Sequence, residues 1–323
     1  MIKQFNDPAL TLMKYCANYA TLPNPVVKLQ DEPFAYSCHS DVFKGRIGPQ
    51  KVVVKSWRAA SMNDRAKQKF TETMKRVLDD WETVLSHPNV CSFTGISSGF
   101  GFLPALVLPY KENGNINEYI RRHPSADILH LMSGVAAGLS YMHSRRAPIV
   151  HGRLQGCNIL VSDSGEACIS DIGIGNLHLP ADMTVGMESL NYSRWIAPEI
   201  IDPPISGTFD PEAKYMTLKS DVYAFGMTLL EVYTKSIPFV HRRFIAGVLS
   251  DVIRGIRPPR PSHKKCPDLT DDIWQLIERC WKQNPKDRPD STTLAAWIGL
   301  ISENVAANNF LSAFSTPPMN DIL

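Results

Sequence analysis

Between Lys219 and Tyr233 the sequence is apolar on almost every side of a helix. A surface helix carries one apolar stripe, so a helix that is apolar all round has to be enclosed by other elements. At fifteen residues the stretch is too short to cross a bilayer, which takes about 20. The second half of the chain should therefore build around this segment as a buried central helix. Before it, Ile128, Leu131, Met132, Val135, Leu139 and Met142 recur at three- and four-residue spacing, with Ser125 as the expected N-cap. After it, helices are expected from about Asp271 to Trp281 and from Ser291 to Ile301. Residues 303–323 read as a loosely held polar tail.

The first half has a different texture. Residues 1–25 read as an extension with one short amphipathic helix. Residues 33 to 56 are strand-like, with β-branched Val52-Val53-Val54 following Gly48-Pro49. A helix is expected over 64–86, carrying Phe70, Met74, Val77, Leu78, Trp81 and Leu85 on one face, and His87-Pro88-Asn89 stops it. Two short strands then end in Ala105-Leu106-Val107-Leu108. A small sheet-rich half before a larger helical half is an α+β arrangement. A length of 323 residues with 44% apolar content suits one two-lobed module.

Charge and cysteine usage narrow the function classes. A net charge of +2 favours neither nucleic acid nor a membrane surface as partner. The opening MIKQFNDPALTLMKY lacks the compact apolar stretch and cleavage site of a secretory signal. Seven cysteines, with no C-x-x-C, read as reduced thiols, which points to the cytoplasm and leaves the nucleus open. His263 and Cys266 have ligand-like spacing but no second pair, so a surface loop is expected there rather than zinc.

Short strings in a fixed order carry the rest. H-G-R-L-Q-G-C-N-I-L runs from His151 to Leu160. Asp171-Ile172-Gly173, Ala197-Pro198-Glu199, Asp221 to Gly226, Cys280-Trp281 and Arg288-Pro289 follow. Together, over roughly residues 30 to 302, they resemble the protein kinase domain. The wording R-W-I-A-P-E and C-W…R-P is similar to the tyrosine-kinase-like group. The resemblance implies a bilobal domain over 26–302: a sheet lobe with one main helix over 26–108, a hinge over 109–113 and a helical lobe over 114–302. It also implies that Glu199 pairs with Arg288, that Asp221 caps the catalytic loop, and that His151 packs in the core under Ile172.

The same resemblance implies ATP and Mg²⁺ as ligands. Lys55 in V-V-V-K matches the lysine that holds the inner phosphates. Asn158 and Asp171 match the two metal ligands, oxygen donors of the kind Mg²⁺ takes. Leu108 matches the gatekeeper, and Pro109 and Lys111 match the hinge carbonyl and N–H. Val42 and Leu160 match the residues that sandwich the base, and Val53 replaces the usual alanine in the pocket roof.

Several matched positions depart from the family pattern. The carboxylate that orients the acceptor hydroxyl and takes its proton falls on Arg153, a permanent cation without an acceptor. The lysine two residues on is Gln155, and the arginine after the histidine is Gly152. Aligned on Val42, the phosphate-loop glycines fall on Ala35, Ser37 and Ser40. The helix glutamate that partners the strand lysine falls on Val77 or Leu78; Glu72 lies too far toward the start of the helix, and Asp79 or Asp80 would need a shifted register. These departures imply a pseudokinase that scaffolds or allosterically controls a protein partner, for instance an active kinase. An active or weakly active Ser/Thr or Tyr kinase with an unusual site is the alternative, because phosphoryl transfer rests mostly on positioning and electrostatics. Thr184, Ser189, Tyr192 and Ser193 are activation-segment hydroxyls to which no role is assigned.

Overall fold

The computed structural model describes residues 25–36, 40–58, 64–97, 99–101, 103–173, 191–203 and 216–314. The first half forms an antiparallel sheet. Strands β1 (Val27–Lys28) and β2 (Ala35–Tyr36) both pair with β3 (Ser40–Ile47), which pairs in turn with β4 (Gln50–Trp57). Helix α1 (Asp64–Glu82) follows, then β5 (Gly95–Ser97) and β6 (Ala105–Pro109), and the main order is β1-β3-β4-β6-β5.

Strand alternation decides which side chains reach the interlobe face. Val52 and Val54 are buried on the outer face, in a cluster with Phe43, Ile47, Ala105 and Val107. Val53 and Lys55, one residue out of phase, point the other way, opposite Leu108 and Leu106. Leu106 and Leu108 join the main core, where Phe70, Met74, Val77, Leu78 and Trp81 of α1 pack against them. Trp81 Nε1 donates to the Cys91 carbonyl at 2.7 Å, so its indole is satisfied inside that core.

The second half is helical. It comprises α2 (Ile116–Arg122), α3 (Ile128–His143), the hairpin β7 (Ile159–Val161) and β8 (Ala167–Ile169), then α4 (Pro198–Ile201), α5 (Leu218–Thr234), α6 (Ile245–Ile253), α7 (Asp271–Cys280) and α8 (Ser291–Phe314). The apolar stretch is α5, with every residue from Ser220 to Tyr233 buried. Thr217 and Ser220 form a reciprocal capping box at its start. Lys235, in the left-handed region at φ 52°, closes its end by donating its N–H to the Glu231 carbonyl. Gly226 allows α7 to approach: a β-carbon there would sit 2.7 Å from that of Cys280.

Three boundaries differ from the sequence reading. The N-cap of α3 is Asp127, whose side chain accepts the His130 N–H at 2.9 Å; Ser125 lies two residues too early to reach that amide. Helix α1 ends at Glu82, and residues 83–87 continue in tighter turns such as Val84 N–H to the Trp81 carbonyl. Helix α8 continues past Ile301 to Phe314, because no glycine or proline occurs before Pro317 to stop it. The expected N-terminal amphipathic helix lies outside the described residues.

Glu199 and Arg288 meet as a bidentate pair, at 2.6 and 2.7 Å. The Arg288 side chain is 0% exposed and that of Glu199 16%. Arg288 also donates to the carbonyls of Lys219, Lys282 and Gln283, so it joins α4, α5 and the turn after α7. Removing one partner strands the other charge in a dry site. We therefore expect Glu199→Ala and Arg288→Ala each to destabilise the protein by about 3 kcal/mol or more. Urea unfolding of both variants checks this; a midpoint unchanged in both would mean that the pair contributes nothing.

Candidate active site

The central helix builds the site by holding a loop. Asp221, near the start of α5 and 1% exposed, accepts the backbone N–H groups of His151 at 2.7 Å and Gly152 at 2.8 Å, and contacts His143 Nε2 at 3.0 Å. Glu231, near the other end of α5, takes the Gly156 N–H at 2.9 Å, Asn117 Nδ2 at 2.7 Å and Trp195 Nε1 at 3.0 Å. Burial pushes the Glu231 carboxyl up, while these three donors pull it back toward the ionised form. Two acids on one helix thus grip the two ends of the segment 151–156. The sequence reading found Asp221 by resemblance and missed Glu231, whose signal was a second carboxylate inside an otherwise apolar helix.

Inside the loop the polar groups are paired. His151 is fully buried, and burial lowers its pKa. Nε2 faces the Ser170 carbonyl at 2.8 Å and must carry the proton; Nδ1 accepts the Arg153 N–H at 3.0 Å. The histidine is therefore a core brace, as expected. Asn158 donates from Nδ2 to the Arg153 carbonyl at 2.8 Å, and its own carbonyl accepts from Ser170 N and Oγ. Gly152 occupies φ 75°, which a glycine adopts without strain.

Arg153 is 9% exposed, and its guanidinium lies over the Tyr192 ring, 4.6 Å from the centroid. Tyr192 is itself buried and donates its hydroxyl to the Gly152 carbonyl at 2.9 Å. The tyrosine noted as an activation-segment hydroxyl is thus the platform for Arg153. Thr184 and Ser189 lie outside the described residues.

All the site residues expected from the sequence line one cleft of about 710 Å³ between the lobes. Val42 and Val53 come from the sheet, and Leu160 from β7 lies below. Leu108, Pro109 and Lys111 form the back and the hinge. Among the described residues the Lys111 N–H has no backbone acceptor, as a group facing a ligand should not. Lys55, Arg153, Gln155, Asn158 and Asp171 line the same cleft. Of the three glycine-equivalent positions, Ala35 sits in β2 opposite Val42, and Ser40 opens β3 and is buried. Ser37 lies outside the described residues.

Lys55 Nζ pairs with Asp171 Oδ1. The side chains are 16% and 9% exposed, so the pair is well shielded. Asp171 holds φ 62°, and Ile172 after it is fully buried. At the place of the absent helix glutamate, Val77 is buried facing Gly173: a β-carbon built there would lie 3.5 Å from a Val77 methyl. Leu78 is fully buried, and Glu72 is exposed. The helix offers the lysine an apolar face, and Asp171 stands in for the missing carboxylate.

The cleft suits an adenine ring and a phosphate chain: apolar walls, a hinge N–H and cations at the inner end. It suits Mg²⁺ less well. Asp171 is neutralised by Lys55, and Asn158 Oδ1 accepts the Cys157 thiol at 3.5 Å.

Comparison with known proteins agrees with this architecture. The profile of the protein tyrosine and serine/threonine kinase family matches residues 31–298. The serine/threonine/tyrosine-protein kinase HT1 of Arabidopsis thaliana is 27% identical over 277 residues, covering 84% of this chain and 66% of the relative. The serine/threonine-protein kinase STY17 of the same plant is 24% identical, over 85% of this chain and 45% of the relative. The serine/threonine-protein kinase TNNI3K of Rattus norvegicus is 29% identical, over 87% and 33%. The chain thus spans two thirds or less of the length of these relatives. With a family profile over most of its length and a hinge, loop and ion pairs in the matching places, the chain belongs to the protein tyrosine and serine/threonine kinase family.

Proposed function

We propose that this chain is a pseudokinase: a nucleotide-responsive binding module that regulates a protein partner and does not itself transfer phosphate. Arg153 carries the reading. Phosphoryl transfer to a hydroxyl needs a group that orients it and accepts its proton. Arginine has five N–H donors, no acceptor and no accessible neutral form. Stacking on Tyr192 keeps that cation at the cleft. Gln155 and Val77 remove two further groups that a transferring site uses, one charge on the phosphate and one on the lysine.

With chemistry set aside, what remains is a rigid lobe, a cleft and a surface. The partner we propose is a protein, an active kinase being the class most directly served by a kinase-shaped regulator. The thiols at Cys91, Cys157, Cys168, Cys266 and Cys280 are unpaired, in keeping with a reducing compartment and a cytoplasmic site of action.

One observation favours a second reading, a weakly active kinase. Lys55, Asn158 and Asp171 share one cleft, with Ile172 buried behind them. Positioning alone supplies much of a phosphoryl-transfer rate.

A radiometric assay separates the two. Purified protein with γ-labelled ATP should label neither myelin basic protein nor itself above the Asp171→Ala blank. Signal in the wild type that vanishes in the blank would establish the active reading. Arg153→Asp should not restore robust activity, since groups of one catalytic constellation act together and a single repair recovers little. For the nucleotide, calorimetry should show Lys55→Ala weakening ATP binding by about tenfold or more, the effect of losing one charge-assisted contact. An unchanged constant would place the ligand elsewhere.

A further inference from the structure

The protein has three buried arginines among its described residues, and they are not used alike. Arg288 is saturated by Glu199 and three carbonyls. Arg194 donates to the carbonyls of Pro238, Phe239 and Arg242. Arg153 contacts the Tyr192 ring, and among the described residues its guanidinium has neither a carboxylate partner nor a hydrogen-bond acceptor. Stacking occupies the faces of a guanidinium and leaves the N–H edge donors directed in its plane. No Arg153 nitrogen is both buried and unpartnered, so its N–H edge reaches the open cleft, where it can take an anion.

The charges around it point the same way. At the inner end of the cleft stand Lys55, Arg153 and Asp171; Gln155 and Asn158 are neutral. Glu231 also reaches this end, but its carboxylate is held by three donors. Lys55 pairs with Asp171, and among the described residues no carboxylate pairs with Arg153, since Glu231 is turned to its three donors. A divalent cation entering here would meet one carboxylate already paired and an adjacent fixed cation. A polyphosphate would meet two cationic side chains, Lys55 and Arg153, in a partly desolvated site, where such interactions are strongest.

We propose that the cleft binds nucleoside polyphosphates without a divalent metal, the Arg153 guanidinium meeting the phosphate chain where a kinase site would use Mg²⁺. This deepens the nucleotide-binding part of the function proposed above and rests on it. The residue that removes the catalytic base thereby supplies the counter-charge. Lys55, with three N–H donors, keeps Asp171 and turns another N–H to the phosphates when the ligand enters.

Calorimetry with ATP and with adenosine, in EDTA and in excess Mg²⁺, tests the proposal on the full chain. Adenosine lacks phosphate and reports the integrity of the adenine end in every variant. In EDTA, ATP should bind about tenfold or more tighter than adenosine, as one strong charge-assisted contact gives. Mg²⁺ should not improve it. Arg153→Gln should bring ATP down to about the adenosine level, while Arg153→Lys keeps most of the difference. Asp171→Asn, which frees Lys55, should leave ATP binding in EDTA as tight or tighter. ATP that binds only with Mg²⁺, or that binds in EDTA regardless of Arg153→Gln, overturns the inference and leaves nucleotide binding standing. If neither ATP nor adenosine binds under any condition, the nucleotide reading fails and the inference fails with it.

Discussion

The structure depends on two carboxylates inside an apolar helix. Asp221 and Glu231 lie on α5 and are both buried, and between them they accept three backbone N–H groups from the segment 151–156. A loop that enters the core brings polar backbone with it, and each unpaired group there would cost about 1–3 kcal/mol. The two acids meet that demand and fix the loop's path at the same time. With the backbone held, His151 can brace Ser170, and Asn158 can tie back to Arg153. The cleft floor is thus a consequence of where α5 carries its charges.

This separates scaffold from chemistry. None of the bonds that shape the loop uses the side chain of residue 153. A carboxylate or a guanidinium can stand there on the same backbone path, so the shape of the loop and the chemistry at residue 153 are set separately. Gly152 illustrates the same point. Its left-handed backbone, its N–H on Asp221 and its carbonyl under the Tyr192 hydroxyl are all main-chain matters, so the side chain could be dispensed with.

What the sequence made legible follows from this. Residues that pair backbone or ions at fixed spacing, such as Asp221, Glu199 and Arg288, were readable because their partners are implied by the same ordered strings. The lining of the cleft was readable because strand alternation puts Val53 and Lys55 on one face and Val52 and Val54 on the other. What stayed hidden depends on contacts between residues distant in sequence. Nothing local says that Tyr192 would carry Arg153, or that Glu231 would reach Asn117 across 114 residues. The ends of helices were blurred for a different reason. Ser125 and Asp127 both suit an N-cap, and only the backbone angles decide which one reaches the first free amide.

The pairing of Lys55 with Asp171 gives this carboxylate a structural task. Lys55 lies on the inward face of β4, fixed there by strand alternation, and its side chain is 16% exposed. Val77 and Leu78 stand where a helix glutamate is expected, and among the described residues the carboxylate that Lys55 meets is Asp171. A shielded ammonium without a counter-ion is costly, so either the lysine or some carboxylate had to change with the helix. Asp171 is placed to answer, because its backbone at φ 62° turns it into the cleft while Ile172 anchors the segment in the core. Keeping Asp171 is then a requirement of Lys55, independent of any metal. The two charges thus satisfy each other across the cleft, and the ion pair joins the two lobes without a carboxylate from α1.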